Sequence, residues 1–410
     1  MKKTAVFKGL LLLLCLAFLA VPAGCLGGGS SSQSVGPLAA NGQGQAQTAV
    51  LPPAEDWQAG ESEVSALPHD EQIKLCGIAE YPVVLDGERE NLLPDRALAA
   101  SLNWANKSGV NWMTGVKNQG QYGTCAAFYL CGTMESVIKI KEGYASGAPD
   151  LSEWYLFYKS GGDLNKGISV DKVFSYMKNS GDVEETACPY SRIPKFSCTS
   201  TSLHKITAYQ WLANNRDTIK QAIATYGPVA AVMDVYNDFF SYKSGVYTHK
   251  TGALAGGHGV IITGWDDAKG CWIAKNSWAA GWGESGYFRI AYGQCNIEKY
   301  VIYLTADTSP VIDEISPASG KAGSLVTVYG NFFGASQGKS VIKFNATACT
   351  KVSSWNPERI ICTVPFGAAS GKLTLRVNNA TSNGLTYTVK AREAQEPENL
   401  EEEPAAPAEI

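Results

Sequence analysis

Three separated stretches of this chain carry side chains that could act together. Cys125 lies in NQGQYGTCAAF, His258 in GGHGVIITGW, and Asn276 in KNSWAAGWGESGYFRI. A thiol, an imidazole and an amide are the parts of nucleophilic acyl chemistry: the sulfur attacks a carbonyl carbon, the ring moves protons, and the amide orients the ring. Only the thiolate attacks efficiently, and an ordinary thiol, with a pKa of about 8.5, is mostly protonated at neutral pH. The residues after Cys125, AAFYLCGTMESVIKI, read as a helix with Ala127, Cys131, Met134 and Ile138 on an apolar face and Glu135 with Lys139 as an i,i+4 pair on another. Cys125 then falls in the first turn, where unpaired N–H groups and the macrodipole favour an anion.

The other two groups need strands. His258 enters the β-branched run Val260, Ile261, Ile262 and Thr263, and Cys271 to Ala274 reads as the next strand, with a turn by composition at Asp266 to Gly270. A hairpin centred on Asp267 would set His258 directly opposite Asn276, with Cβ atoms about 5 Å apart. A one-residue bulge would spoil that alignment. Trp278 falls on the same side of the strand as Asn276.

Three further features complete a pattern: Gln119 shortly before the cysteine, a histidine entering an apolar strand, and Asn-Ser-Trp followed by Gly-Trp-Gly and Gly-Tyr-Phe. With these, the chain resembles the papain-like cysteine peptidases from roughly Asn103 to Leu304. The resemblance implies a two-lobed α+β fold, with Cys125 from a helical lobe, His258 and Asn276 from a β lobe, and a cleft between them. It implies that Gln119 and the Cys125 backbone N–H bind the oxyanion and that Trp278 shields the His–Asn contact. It also implies that Gly167 hydrogen-bonds an extended substrate, with Gly257 and Trp278 beside it in substrate binding. Leu151-Ser152-Glu153 resembles the family's helix start. The chain departs from the family at Ala126, where a tryptophan is usual, and at Tyr122 and Leu164, where the family has a disulfide.

A length of 410 residues allows two domains plus tails, and a net charge of −4 with no basic patch argues against nucleic acid as a partner. The N-terminus, Lys2-Lys3 and then LLLLCLAFLAVPAGC, reads as a signal peptide over 1–24 or, alternatively, a retained signal anchor. Cys25 is a candidate for lipid modification, with a Gly/Ser-rich tether over 25–50. The expected location is therefore outside the cytoplasm, secreted or attached to the envelope membrane. Export allows disulfides, and Cys188 with Cys198 and Cys349 with Cys362 are the local candidates among up to four bridges. Oligomeric state is not readable.

Residues 51–95 read either as a pro-segment occupying the cleft or as an extension packed permanently on the domain, with Cys76 as its staple. Residues 96–308 form the peptidase-like domain. Over 309–390, short alternating segments split by Gly, Pro, Asn and Ser argue for a β-sandwich. The phrases ISPASG, VTVYGNFFG and LTYTV resemble the immunoglobulin-like IPT/TIG module. The tail, 391–410, is acidic and reads as disordered. No metal or cofactor is expected. The functional expectation is an exported cysteine endopeptidase acting on proteins or peptides. The alternatives are an acyl transferase with the same site and a catalytically inert binding protein in which the sandwich does the work.

Overall fold

In the computed structural model, residues 56–93, 97–143, 149–198 and 203–391 are described. The signal sequence, Cys25, the tether and nearly all of the acidic tail lie outside the described residues. No described helix is long and apolar enough to cross a membrane.

The helical half comes first. After the short α1 (His69–Lys74), helix α2 runs Cys125–Glu142 and stops at Gly143, whose φ of 72° places it in the left-handed region while its N–H caps the Lys139 carbonyl. Every residue from Cys125 to Ile138 is buried, so α2 has no solvent face over that length. The expected Glu135–Lys139 pair is not made. Glu135 instead accepts from Lys117 Nζ at 3.0 Å, Thr114 Oγ1 at 2.6 Å and Leu151 N–H at 2.9 Å, while Lys139 Nζ donates to the Asn111 and Met113 carbonyls. A buried carboxylate needs close donors, and a neighbouring turn supplies them better than a flexible lysine on the same helix. Helices α3 (Glu153–Lys159) and α4 (Val170–Asn179) pack beside α2. Ser152 caps α3, its hydroxyl accepting from Tyr155 N–H at 3.0 Å, as the Leu-Ser-Glu phrase predicts.

The other half is built on strands β1 (Ile206–Leu212), β2 (Val229–Tyr236), β3 (Leu254–Asp266), β4 (Cys271–Lys275), β5 (Tyr287–Ala291) and β6 (Tyr300–Ala306). Helix α5 (Arg216–Tyr226) joins β1 to β2. The order across the sheet is β1-β6-β2-β3-β4-β5, with Arg89–Glu90 beyond β1 and Val246–Tyr247 beyond β5. Hairpin β3–β4 does not have the expected register. Asp266 pairs with Cys271 and Gly264 with Ile273, then an irregularity shifts the ladder so that Ile262 pairs with Ala274 and Ile261 with Lys275. His258 therefore lies beyond the end of β4 and pairs with Met233 of β2.

The segment before the domain is stitched to it. Gln58–Ala59 pairs with Tyr242–Ser244, Trp57 Nε1 donates to the Thr248 carbonyl, and Arg89–Glu90 extends the sheet parallel to β1. Between these ties, residues 75–81 cross the cleft.

Strands β7 (Val311–Ser316), β8 (Leu325–Asn331), β9 (Val341–Phe344), β10 (Val352–Trp355), β11 (Arg359–Thr363), β12 (Gly371–Val377) and β13 (Leu385–Lys390) form the C-terminal sandwich. One sheet is ordered β7-β8-β11-β10 and the other is built on β13-β12-β9. Its core, including Val328, Phe333, Leu373 and Tyr387, is separate from that of the first domain.

Among the described cysteines one disulfide is present, Cys188–Cys198, with a Cα–Cα distance of 4.5 Å. Cys349 and Cys362 are free thiols although their side chains meet. The Cys349 thiol is turned to the carbonyls of Thr363 and Lys351, at 3.2 and 3.4 Å, instead of bonding to Cys362. Cys76, Cys131, Cys271 and Cys295 are also free, so the expected framework of up to four bridges reduces to one. Cys131 spends its hydrogen on Asp182 Oδ2 at 3.4 Å inside the core.

Candidate active site

Cys125 opens α2 and is fully buried. Burial pushes its thiol up to about 11, against the neighbouring backbone N–H groups of Gly259, Gly77, Ala126 and Cys125 itself, which favour the thiolate. Gly259 follows His258 on β3, so that strand brings the imidazole to the mouth of the helix. His258 is also fully buried, which lowers it to about 4 against the contacts with Asn276 and Leu75 that would raise it. With the cleft filled, both groups are driven to their neutral forms. The thiolate expected from the helix terminus is suppressed in this state.

Asn276 lies just past β4. Its Oδ1 accepts from Ser277 N–H at 2.8 Å, which fixes the amide orientation, and faces His258 Nε2 at 2.8 Å. That assigns the Nε2–H tautomer and turns Nδ1 toward the cleft. Trp278 covers the pair, its ring 4.7 Å from the imidazole and only 2 % exposed. Its other ring contacts are with Phe239, Phe240 and Trp282, so it is a wall and not a substrate seat.

Gln119 is fully buried and held from three sides. Its N–H donates to the Ser277 carbonyl at 2.9 Å, its Oε1 accepts from Ser277 Oγ at 2.8 Å, and its Nε2 donates to the Tyr122 carbonyl at 2.7 Å. The remaining Nε2 contact is the informative one. It donates to the Leu75 carbonyl at 3.1 Å, and the same oxygen lies 3.2 Å from His258 Nδ1. A peptide carbonyl of the chain's own N-terminal segment is thus set between the candidate oxyanion donor and the candidate base.

The segment continues through a notch made of three glycines. A Cβ on Gly77 would lie 2.0 Å from the Gly123 carbonyl oxygen, and one on Gly167, whose φ is +80°, would lie 1.9 Å from the Gly77 oxygen. Gly167 provides clearance and not the expected backbone bonds, because its own N–H and carbonyl close a turn with Asp163. The neighbouring Ile168 makes them instead, donating to the Gly77 carbonyl at 3.0 Å and accepting from Ala79 N–H at 3.2 Å in a parallel bridge with Ile78. Gly257 accepts from Ile78 N–H at 3.2 Å, and the absence of its side chain leaves room for Ile78 and Tyr81.

Sequence reasoning missed four participants. Ser277 positions Gln119, and its only signal is its place between Asn276 and Trp278. The Gly259 N–H reaches the sulfur through strand geometry. Leu75 and Gly77 lie in a stretch with no motif, and only the fold brings them to the site.

Residues 98–305 match the papain family cysteine protease profile, and residues 310–389 match the IPT/TIG domain. Ananain from Ananas comosus is 32 % identical over 228 residues, covering 52 % of this chain and 64 % of ananain. Pro-cathepsin H from Mus musculus is 34 % identical over 209 residues, covering 48 % and 61 %. The chain thus spans less than two thirds of the length of these relatives. Among solved structures, procathepsin L2 from the Tenebrio molitor larval midgut superposes with a TM-score of 0.53 at 27 % identity, covering 61 % of this chain and 84 % of that one. Procathepsin B S9 from Trypanosoma congolense, at 23 % identity and a TM-score of 0.55, shares the fold. A profile match spanning half of the sequence, over a two-lobed α+β domain of this architecture, establishes that the chain belongs to the papain family of cysteine proteases.

Proposed function

We propose that the protein is an exported cysteine endopeptidase whose N-terminal segment holds it latent. In this reading Cys125 Sγ attacks the carbonyl carbon of a peptide bond after passing its proton to His258 Nδ1. The carbonyl oxygen takes the negative charge, stabilised by Gln119 Nε2 and the Cys125 N–H. The C–N bond breaks as His258 protonates the leaving amine, and water then hydrolyses the thioester, returning the acid and the thiol. Asn276 keeps Nε2–H engaged so that Nδ1 handles the proton, and Trp278 keeps water from that contact.

The observation that carries the reading is the Leu75 carbonyl oxygen, 3.1 Å from Gln119 Nε2 and 3.2 Å from His258 Nδ1. Gln119 Nε2 is the group that would bind the oxygen of a scissile carbonyl, and His258 Nδ1 the one that would move the proton beside it. The segment's passage through the notch favours the pro-segment over a bystander extension. Full-length protein activated at mildly acidic pH should cleave unstructured peptides, and Cys125→Ala should reduce that cleavage to background. Activity retained in Cys125→Ala would overturn the assignment. Product masses in the presence of added amines separate hydrolysis from acyl transfer. Export is supported by the signal-like N-terminus and the Cys188–Cys198 bridge. N-terminal sequencing and intact mass of the mature protein test it, including lipid on Cys25.

A further inference from the structure

The segment in the cleft marks where side chains are received as well as where the carbonyl sits. Beyond Ile78, the Tyr81 hydroxyl reaches over Gly257 and donates to Asp234 Oδ1 at 2.5 Å. Asp234 is on β2, paired in register with Gly257, the residue before His258, so its carboxylate belongs to the cleft wall beside the base. It is only 8 % exposed. Its Oδ2 accepts from Asn296 Nδ2 at 2.6 Å, so each oxygen meets one neutral donor. Among the described residues it has no ion-pair partner. Lys299 is engaged over the Tyr300 ring, 5.1 Å from its centroid, and the other face of this corner is the Tyr81 ring, 5.5 Å from Tyr300. A shielded carboxylate held by two neutral donors, one of them on a removable segment, is an acid awaiting a counter-charge.

We propose that Asp234 is a specificity residue, and that with Tyr81 gone the space over Gly257 receives a lysine or arginine side chain from the acyl side of the substrate. The assignment rests on the peptidase reading above. A guanidinium would give Oδ1 a charged donor in place of the phenol while its stem lies on the bare backbone of Gly257 and against the Tyr300 ring. Asn296 would continue to hold Oδ2, so that the carboxylate is aimed before the substrate arrives.

The test uses the full-length chain, incubated under reducing, mildly acidic conditions until activity appears. Its substrates are peptide sets that differ at one acyl-side position between arginine and citrulline, which share a shape and differ in charge. At the position that fills this seat, arginine should exceed citrulline in kcat/KM by at least about tenfold, mainly through KM. Asp234→Asn should remove that ratio, with the loss falling on the arginine peptides through KM. Tyr81→Phe, which weakens only the segment's hold, should speed activation and leave the ratio unchanged. Equal rates for arginine and citrulline at every acyl-side position, or a ratio that survives Asp234→Asn, would overturn the proposal while the peptidase reading stands. No cleavage of any peptide would overturn both.

Discussion

His258 faces an acceptor at each ring nitrogen, Asn276 Oδ1 at 2.8 Å and the Leu75 carbonyl at 3.2 Å, within a site whose burial favours the neutral ring. The shorter contact keeps the proton on Nε2, and the longer one becomes a full hydrogen bond only when the ring is charged. Because the docked ring titrates near 4 and a freed one near its ordinary 6.5, opening the cleft takes up a proton between those values. Docking of the segment is therefore strongest above pH 6.5 and loses about 1.4 kcal/mol for each pH unit below it, levelling off near pH 4. Amide exchange of Gly77 and Ile78 in a Cys125→Ala background should show protection that is flat from pH 7 to 8 and falls up to about tenfold per unit below 6.5. Protection independent of pH would count against it. Gln119 is the other residue that meets the Leu75 oxygen. Gln119→Ala should lower kcat by roughly 10²- to 10³-fold with little change in KM, because the amide acts on charge that develops only in the transition state.

The segment from Leu75 to Tyr81 is held by backbone bonds to Ile168 and Gly257 and by the close approach of Gly77, Gly123 and Gly167. Gly77→Ala would put a methyl group 2.0 Å from a backbone oxygen that has no rotamer to escape by. It should weaken docking by about 1–3 kcal/mol and give a full-length protein that cleaves peptides without prior activation. A Gly77→Ala protein as latent as the wild type would exclude this segment as the lock. None of this is legible in the sequence, since the three glycines are far apart in the chain and only the fold brings them together. Local chemistry was legible: the motifs carry Cys125, His258, Asn276 and Gln119, the Ser152 cap, and the alternation of the sandwich strands. The hairpin register was not, because the turn is wider than one centred on Asp267: Asp266 pairs with Cys271, which already sets His258 past the end of β4, and the irregularity between Ile262 and Gly264 offsets that shift only in part. Helix α2 looked two-faced because Glu135 and Lys139 suggested a wet side, whereas both are buried against the turns that satisfy them.

At the level of the whole molecule, two hydrophobic cores lie in one chain. Phe332 joins them: it belongs to the sandwich by sequence, but is packed into the first core with its ring edge-on to His204 at 5.6 Å. Calorimetry should resolve two overlapping transitions in place of a single two-state one. Phe332→Ala should separate them further while leaving kcat/KM on short peptides unchanged, since the site lies within the first domain. The segment spans that domain from Gln58–Ala59 to Arg89–Glu90 and keeps a buried, protonated thiol beneath it. The most direct measurement is the rate at which iodoacetamide alkylates Cys125 near pH 6, read by peptide mass mapping before and after the segment is released. Slow labelling of the latent chain and rapid, stoichiometric labelling of the opened one are predicted, because opening lets His258 take the thiol proton. A Cys125 that stays unreactive once the cleft is open would contradict the assignment of a catalytic cysteine.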